Sequence, residues 1–383
     1  MDERGENGAL EEHKEWYKHN STFQEAREIV QDKGLEGFAG LAAEKMGRRK
    51  FIKTMGFVTA GLGLLGVPAF AEKKEEGAAP ARKYKAAYSA ILMAVFWVKA
   101  GAETLQHYGY LTGFDVDVFD AGGDPGTQRS QIDLIASKAG EYDVVFIHPS
   151  QIGAFTEPVK ELINKGVVVV DIDTKLVPDL STLDILTFTE PDNVWMGSAV
   201  TEYLCKKINY KGNIVHTQGA LGHTGAQGRA KGFHQVISKY PDIKVIDETP
   251  CNWSAEKTRS VWSDLLVKYN RIDAGFFHND DMALAAYSAL KAAGREDECV
   301  LGGVDGMAPS LRELKKGKIQ ATATNPACRV HGYGFWAAWY HLVNEVPSAD
   351  IPKFLRCDGP MVNVDLPEKV IDSFIWENEH YML

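Results

Sequence analysis

From residue 85 to about 365 the apolar positions follow two alternating periods. Short runs, nearly all apolar or alternating apolar and polar, fall at 86–92, 115–119, 143–148, 167–173, 213–218, 244–248, 274–278, 300–304 and 319–324, and each predicts a β-strand. Between them, apolar residues recur every three to four positions over 127–139, 194–208, 226–239, 255–269, 282–293 and 330–343, which predicts helices with one buried face. Val167-Val168-Val169-Val170 has no polar side, the signature of a strand covered on both faces in a parallel sheet. Regular alternation of strand and helix builds βαβ units with right-handed crossovers. The rhythm breaks between 173 and 192, an irregular stretch containing Pro178 and Pro191, and then restarts. The pattern therefore predicts an α/β chain of two doubly wound parallel-sheet lobes joined near that break.

The segment ahead of this core has a different character. Gly47-Arg48-Arg49-Lys50-Phe51-Ile52-Lys53 is followed by a glycine-rich apolar run, 57–70, that ends in Ala69-Phe70-Ala71. A paired arginine, a bulky apolar residue, a short apolar run and a small-x-small ending form a twin-arginine export signal. Arg48, Arg49, Phe51, Ala69 and Ala71 carry it. Residues 1–71 are then a long polar leader plus signal, and 72–84 a charged linker. The partner implied is the twin-arginine translocase, and the destination is periplasmic.

Composition narrows the partners. The formal net charge is −10, which offers no basic face to a nucleic acid. Cys205, Cys251, Cys299, Cys328 and Cys357 form no CxxC pair and no zinc-finger spacing, so neither a structural metal nor a cofactor is implied. Buried thiols are the expectation, with one disulfide as the alternative.

The ends of the predicted strands carry one kind of chemistry. His148 and Asp173 follow two strands of the first half. His223, Gln227 and Arg229 follow 213–218, and Asn279, Asp305 and Asn325 follow three later strands. Phe96 and Trp97 come after the first strand, and Trp253 after 244–248. Sugar hydroxyls both donate and accept, which suits Asp, Asn and Arg. Aromatic rings cover the C–H faces of a sugar ring. Ligands of doubly wound sheets bind beyond the carboxyl ends of the strands. Singly, a carboxylate or amide after a strand is an ordinary helix cap, and Asp280 and Asp281 read that way.

Three segments carry a family resemblance: Phe277-His278-Asn279-Asp280-Asp281-Met282-Ala283-Leu284, Gly303-Val304-Asp305-Gly306, and Gly222-His223-Thr224-Gly225-Ala226-Gln227-Gly228-Arg229. From about Lys85 to Asp365 the chain resembles the periplasmic sugar-binding proteins of the ribose and galactose/glucose type, the binding subunits of ABC importers. The resemblance implies the type I periplasmic binding fold with a three-crossing hinge near 190–193, 325–326 and 358–361. One lobe would comprise 85–190 and 326–358, the other 191–325 and 359–383. It implies that Asn279, Asp305 and Asn325 bind hydroxyls, that Trp253 stacks on the ring from one lobe, and that Phe96 and Trp97 do so from the other. Asp305 is expected to be ionised. The chain departs from the ribose pattern at Thr174 and Gln227, where that type has arginines, and at His148, where it has an asparagine. A hexose or a cyclic polyol fits the remaining groups better than ribose.

The reading is thus a monomeric, non-enzymatic solute-binding protein that delivers a monosaccharide or polyol to an ABC permease and ATPase. An alternative is a sugar sensor feeding a chemoreceptor or sensor kinase. A dinucleotide enzyme is the weaker rival. Gly219, Gly222 and Gly225 lie between strand and helix, but their GxxGxxG spacing is not the GxGxxG that admits a pyrophosphate. No HExxH or GxSxG motif marks a hydrolase. A DNA-binding regulator would need a recognition helix where the export signal stands.

Overall fold

The computed structural model describes residues 83–381. Arg48, Arg49, Phe51, Ala69, Ala71 and nearly all of the linker lie outside them. Twelve strands and ten α-helices follow in order: β1 (Tyr84–Ala90), α1 (Phe96–Thr112), β2 (Phe114–Asp120), α2 (Pro125–Ser137), β3 (Val144–Ile147), α3 (Thr156–Asn164), β4 (Val168–Ile172), β5 (Thr187–Glu190), α4 (Asn193–Lys207), β6 (Gly212–Thr217), α5 (Thr224–Ile237), β7 (Ile243–Asp247), α6 (Ala255–Lys268), β8 (Ala274–Phe277), α7 (Asp280–Ala292), β9 (Val300–Asp305), α8 (Ala308–Lys315), β10 (Ala321–Thr324), α9 (Ala327–Leu342), β11 (Phe354–Arg356), β12 (Met361–Asn363) and α10 (Glu368–Glu379).

The strands form two sheets, ordered β11-β5-β4-β3-β1-β2 and β12-β10-β9-β8-β6-β7. Within them only β12 runs antiparallel to its neighbour, β10. Both sheets reverse order beside their first strand, between β1 and β3 in one lobe and between β6 and β8 in the other. Such switch points open a crevice at the carboxyl ends of the strands.

Burial explains the pattern of residues. Val144, Val145, Phe146, Ile147, Val169 and Val170 are at most 1% exposed, because helices cover both faces of the first sheet. The α1 and α9 side packs with Tyr88, Phe146 and Phe335, and the α2 and α3 side with Ile132, Val145 and Phe155. In the second lobe α6, α7, α8 and α10 cover one face, and α4 and α5 the other. The α4–α5 contact is close: a methyl group on Gly197 would strike the carbonyl of Arg229, and one on Gly232 that of Val194. This approach sets where the Arg229 side chain emerges.

The irregular stretch after 173 does hold a strand. Thr187–Glu190 is the four-residue β5, near the edge of its sheet, while Leu176, Val177, Leu183 and Ile185 of the loop before it plug the α2–α3 core. All five cysteines lie among the described residues, where they are buried and form no disulfide.

The chain passes between the lobes at 190–193, 324–327 and 356–361. Polar contacts tie these passages together. The Asp192 amide donates to Asp358 Oδ1 at 2.7 Å, Arg356 lies 3.5 Å from Asp192, and Arg329 donates to the Asp358 carbonyl.

Candidate ligand-binding cleft

The two switch points face each other and enclose a cavity of about 40 Å³. From the first lobe, Trp97 in the first turn of α1, His148 after β3 and Asp173 after β4 line it. From the second come His223, Arg229, Trp253, Asn279 and Asp305, with Asn325 at the second passage between lobes. Nine of the eleven residues singled out by their position at strand ends therefore meet in one cavity. Phe96 and Gln227 are not among its lining. Phe96 is 38% exposed, and its backbone N–H donates to Asp281 of the other lobe at 3.3 Å. Gln227 is exposed and donates to the Leu221 carbonyl. Ile91, Leu92, Val95 and Val98 complete an apolar wall, which ordinary core patterning hid in the sequence.

Local structure places each polar group. His223 is the N-cap of α5: its Nδ1 accepts from the Gly225 N–H at 3.1 Å. That bond leaves the proton of the neutral ring on Nε2, which points at Asp173 Oδ2 at 3.3 Å. His148 Nε2 lies 3.5 Å from the same oxygen and 3.3 Å from His223 Nε2. These three donor atoms are spaced as the ligands of a metal ion would be. The capping bond argues against that use, because an Nε2 that holds a proton cannot ligate.

Asn279 caps α7 by accepting from the Met282 N–H, and its Nδ2 is buried without a protein partner. This corrects the reading of Asp280 and Asp281 as the capping pair. Asp280 sits in the first helical turn and accepts from the Gly306 N–H at 2.9 Å, while Asp281 reaches across the cleft to Phe96.

Arg229 donates to Asn193 Oδ1 and to the His278 carbonyl, and lies 3.8 Å from Asp305. Its guanidinium covers the Trp253 ring at 5.5 Å. Trp97 Nε1 donates to the Asn325 backbone carbonyl at 2.6 Å, and the Asn325 side chain, turned so that its amide oxygen faces Arg229, accepts from Nη2 at 3.1 Å, joining the lobes through one residue. Trp97 rests in turn on His331, whose Nδ1 donates to the Ala327 carbonyl and whose Nε2 accepts from Tyr88. His331, a histidine amid the apolar positions of the buried face of α9, was a visible signal for this support.

Three lining residues adopt positive φ without being glycine: Asp173 at 61°, Trp253 at 65° and Asp305 at 121°. Such residues cost about 1–3 kcal/mol each and gather at binding sites, where the surrounding structure holds them.

Electrostatics divides the carboxyls. Burial opposes charge on Asp173, yet the His148 bond, His223 and Arg229 overcome it and hold this carboxyl well below its usual range. Burial pushes Asp305 well above its usual range, with Arg229 only partly offsetting. Burial thus works against the ionised Asp305 expected from the sequence, and Arg229, with the donors of a bound ligand, works for it. Burial also raises Asp280 and Glu190, each to about 7. His223 is pushed down to about 3, chiefly by burial.

Residues 94–345 match the periplasmic binding protein domain family. The xylitol-binding protein of Mycolicibacterium smegmatis is 30% identical over 228 residues, 59% of this chain and 63% of that protein. The chain thus spans a little under two thirds of that relative's length. The fructose-binding periplasmic domain of a hybrid two-component system is 25% identical, with a TM-score of 0.66 over 78% of this chain and 94% of that one. The arabinose-binding component of an ABC transporter from Shewanella sp. ANA-3 shares the fold at 23% identity, with a TM-score of 0.71 over 78% of this chain and 97% of its own. These relatives bind substrates; they are not enzymes.

Proposed function

The chain belongs to the periplasmic binding protein domain family, and on that premise we propose that it captures a sugar or polyol between its lobes and delivers it to an ABC importer. The observation that carries this reading is the convergence of strand-end polar groups from both lobes, flanked by Trp97 and Trp253, on one cavity. Asn279 Nδ2 and Asp173 Oδ1, buried without protein partners, supply a donor and an acceptor for hydroxyl groups. The relatives that bind xylitol and fructose support a polyol or monosaccharide as the class of ligand. Opening and closing would use the three passages between lobes as hinges. No chemical step is involved, and the protein acts as a monomer.

Export through the twin-arginine route, directed by Arg48 and Arg49, is part of the proposal. Replacing both by lysine and fractionating cells tests it: unchanged processing after Ala71 would refute the route.

A thermal-shift screen over monosaccharides, linear polyols and cyclitols tests the binding function. A ligand at 100 times its Kd adds about 2.7 kcal/mol of stability. If no member of the set moves the melting transition, the polyol reading is wrong. A second reading, a sensor module, is favoured by the likeness to the two-component fructose domain. Uptake of labelled ligand in cells lacking the protein decides between them, since a sensor is dispensable for transport once its target genes are expressed constitutively.

A further inference from the structure

We propose that the ligand of this cleft carries one positive charge: it is a polyol or sugar bearing a protonated amine, seated between the carboxylates of Asp173 and Asp305. The inference rests on the reading of the cleft as a polyol site and narrows its ligand class.

The argument is a count of charge. Asp173 comes from one lobe and Asp305 from the other, and both line the cavity at 5% exposure or less. Opposite them stands Arg229, the one buried Lys or Arg among the described residues. The histidines do not balance the excess. His223 is committed to its neutral form by the Gly225 N–H on Nδ1. His148 has no protein partner at its buried Nδ1, and its Nε2 is shared between Asp173 and His223. Thr174 is buried and neutral, and Gln227 turns away, so neither position supplies the cation that the ribose-type pattern places there. The carboxyls behind the cleft supply no cation: Asp280 and Asp281 on α7 act on Asp305, Glu190 at the end of β5 acts on Asp173, and burial pushes all three toward their neutral forms. Lys175 and Arg356, beside Glu190, are not buried.

Closing the lobes therefore confines two carboxylates and one guanidinium in a medium of low polarity. One proton or one cation must make up the difference. An ammonium group suits the geometry, for it presents three donors and no acceptor. Asp173 Oδ1 is buried without a partner, and Asp305 meets Arg229 only at 3.8 Å, so both carboxylates have acceptor capacity to spare. The ligand's hydroxyls are left for Arg229 and Asn279 Nδ2.

Calorimetry on the full-length protein tests this. Glucosamine, N-acetylglucosamine and glucose form one series, and an inosamine with inositol a second. Each is titrated at pH 7 in two buffers of different ionisation heat. The amine should bind at least about 10-fold more tightly than its neutral parent and its acetylated form in one of the series, without net proton uptake. Asp305→Asn, checked for an unchanged melting transition, should bring that ratio to about one. Equal or tighter binding of the neutral parent, with uptake of about one proton, overturns the proposal while leaving the polyol reading intact. Binding of none of the five compounds overturns the proposal, and the wider thermal-shift screen then decides the polyol reading.

Discussion

Gly219 lies directly under the indole of Trp253, so close that a methyl group at Gly219 would overlap the six-membered ring. This contact explains the glycine-rich turn that the sequence offered as a nucleotide motif. Gly219 makes room for an aromatic ring rather than a pyrophosphate, and Gly222 abuts Gln151 of the other lobe. Gly219→Ala must push Trp253 toward the cavity. Overpacking of this kind costs about 1–3 kcal/mol. Because Trp253 is half-buried and borders open space, the loss should fall mainly on ligand affinity, about 10-fold or more, with a small change in melting temperature. Calorimetry and a melting curve on one variant measure both. Unchanged affinity would remove Trp253 from the binding surface.

Asp305 holds φ at 121°, a region glycine enters without penalty. Asp305→Gly should therefore raise the stability of the unliganded protein by about 1 kcal/mol while weakening ligand binding. Asp305→Ala keeps the strain, so it should lose binding without that gain. Equal melting temperatures for the two variants would show that the backbone there stores no strain.

Asp281 accepts from the Phe96 backbone N–H across the cleft mouth. Its removal should loosen only the closed state. Asp281→Ala is expected to speed ligand release about 5-fold, corresponding to a bond of about 1 kcal/mol, with little change in association rate. Stopped-flow tryptophan fluorescence reads the two rates separately. A slower association with unaltered release would place Asp281 in the encounter step instead.

His223 gives the cleft an acid limit. In the closed cleft burial holds its pKa down to about 3, and parting the lobes would relieve that burial and raise it toward the ordinary histidine range. Below about pH 6.5 closure must therefore expel a proton, and affinity should fall by up to about 10-fold per pH unit as pH drops. Above that range His223 contributes no slope. This holds for a ligand that keeps Asp305 ionised; one that leaves Asp305 to take up a proton on closure would cancel the limb. His223→Gln should abolish the loss between pH 6.5 and pH 5. A binding isotherm series over pH 5–8 shows whether it does.

How much of this was readable beforehand depended on range. Val167–Val170 announced a central strand because both its faces are covered, and burial on both faces leaves no polar residue to mislead. β5, β11 and β12 were missed because each has three or four residues at or next to a sheet edge, too few for any period to show. Arg229 and Gln227 look alike in sequence, but two residues along a helix turn the side chain by about 200°, so one enters the cleft and the other faces solvent. The electrostatics of Asp305 could not be read from the sequence, because burial, the largest influence on it, and the Arg229 guanidinium beside it are set by tertiary packing.

The three passages between lobes bear on how the protein is made. The first sheet receives β11, and its covering helix α9, only after every strand of the second sheet but β12 has been synthesised. A nascent chain stopped at residue 320 would expose Val170 and Phe146, which α9 otherwise covers, beside a second sheet still lacking its final strands. Neither lobe can finish while the ribosome is still at work on the other, so both must be completed nearly together at the end of translation. A chaperone that shields apolar sheet faces would have its longest task on the half that emerges first.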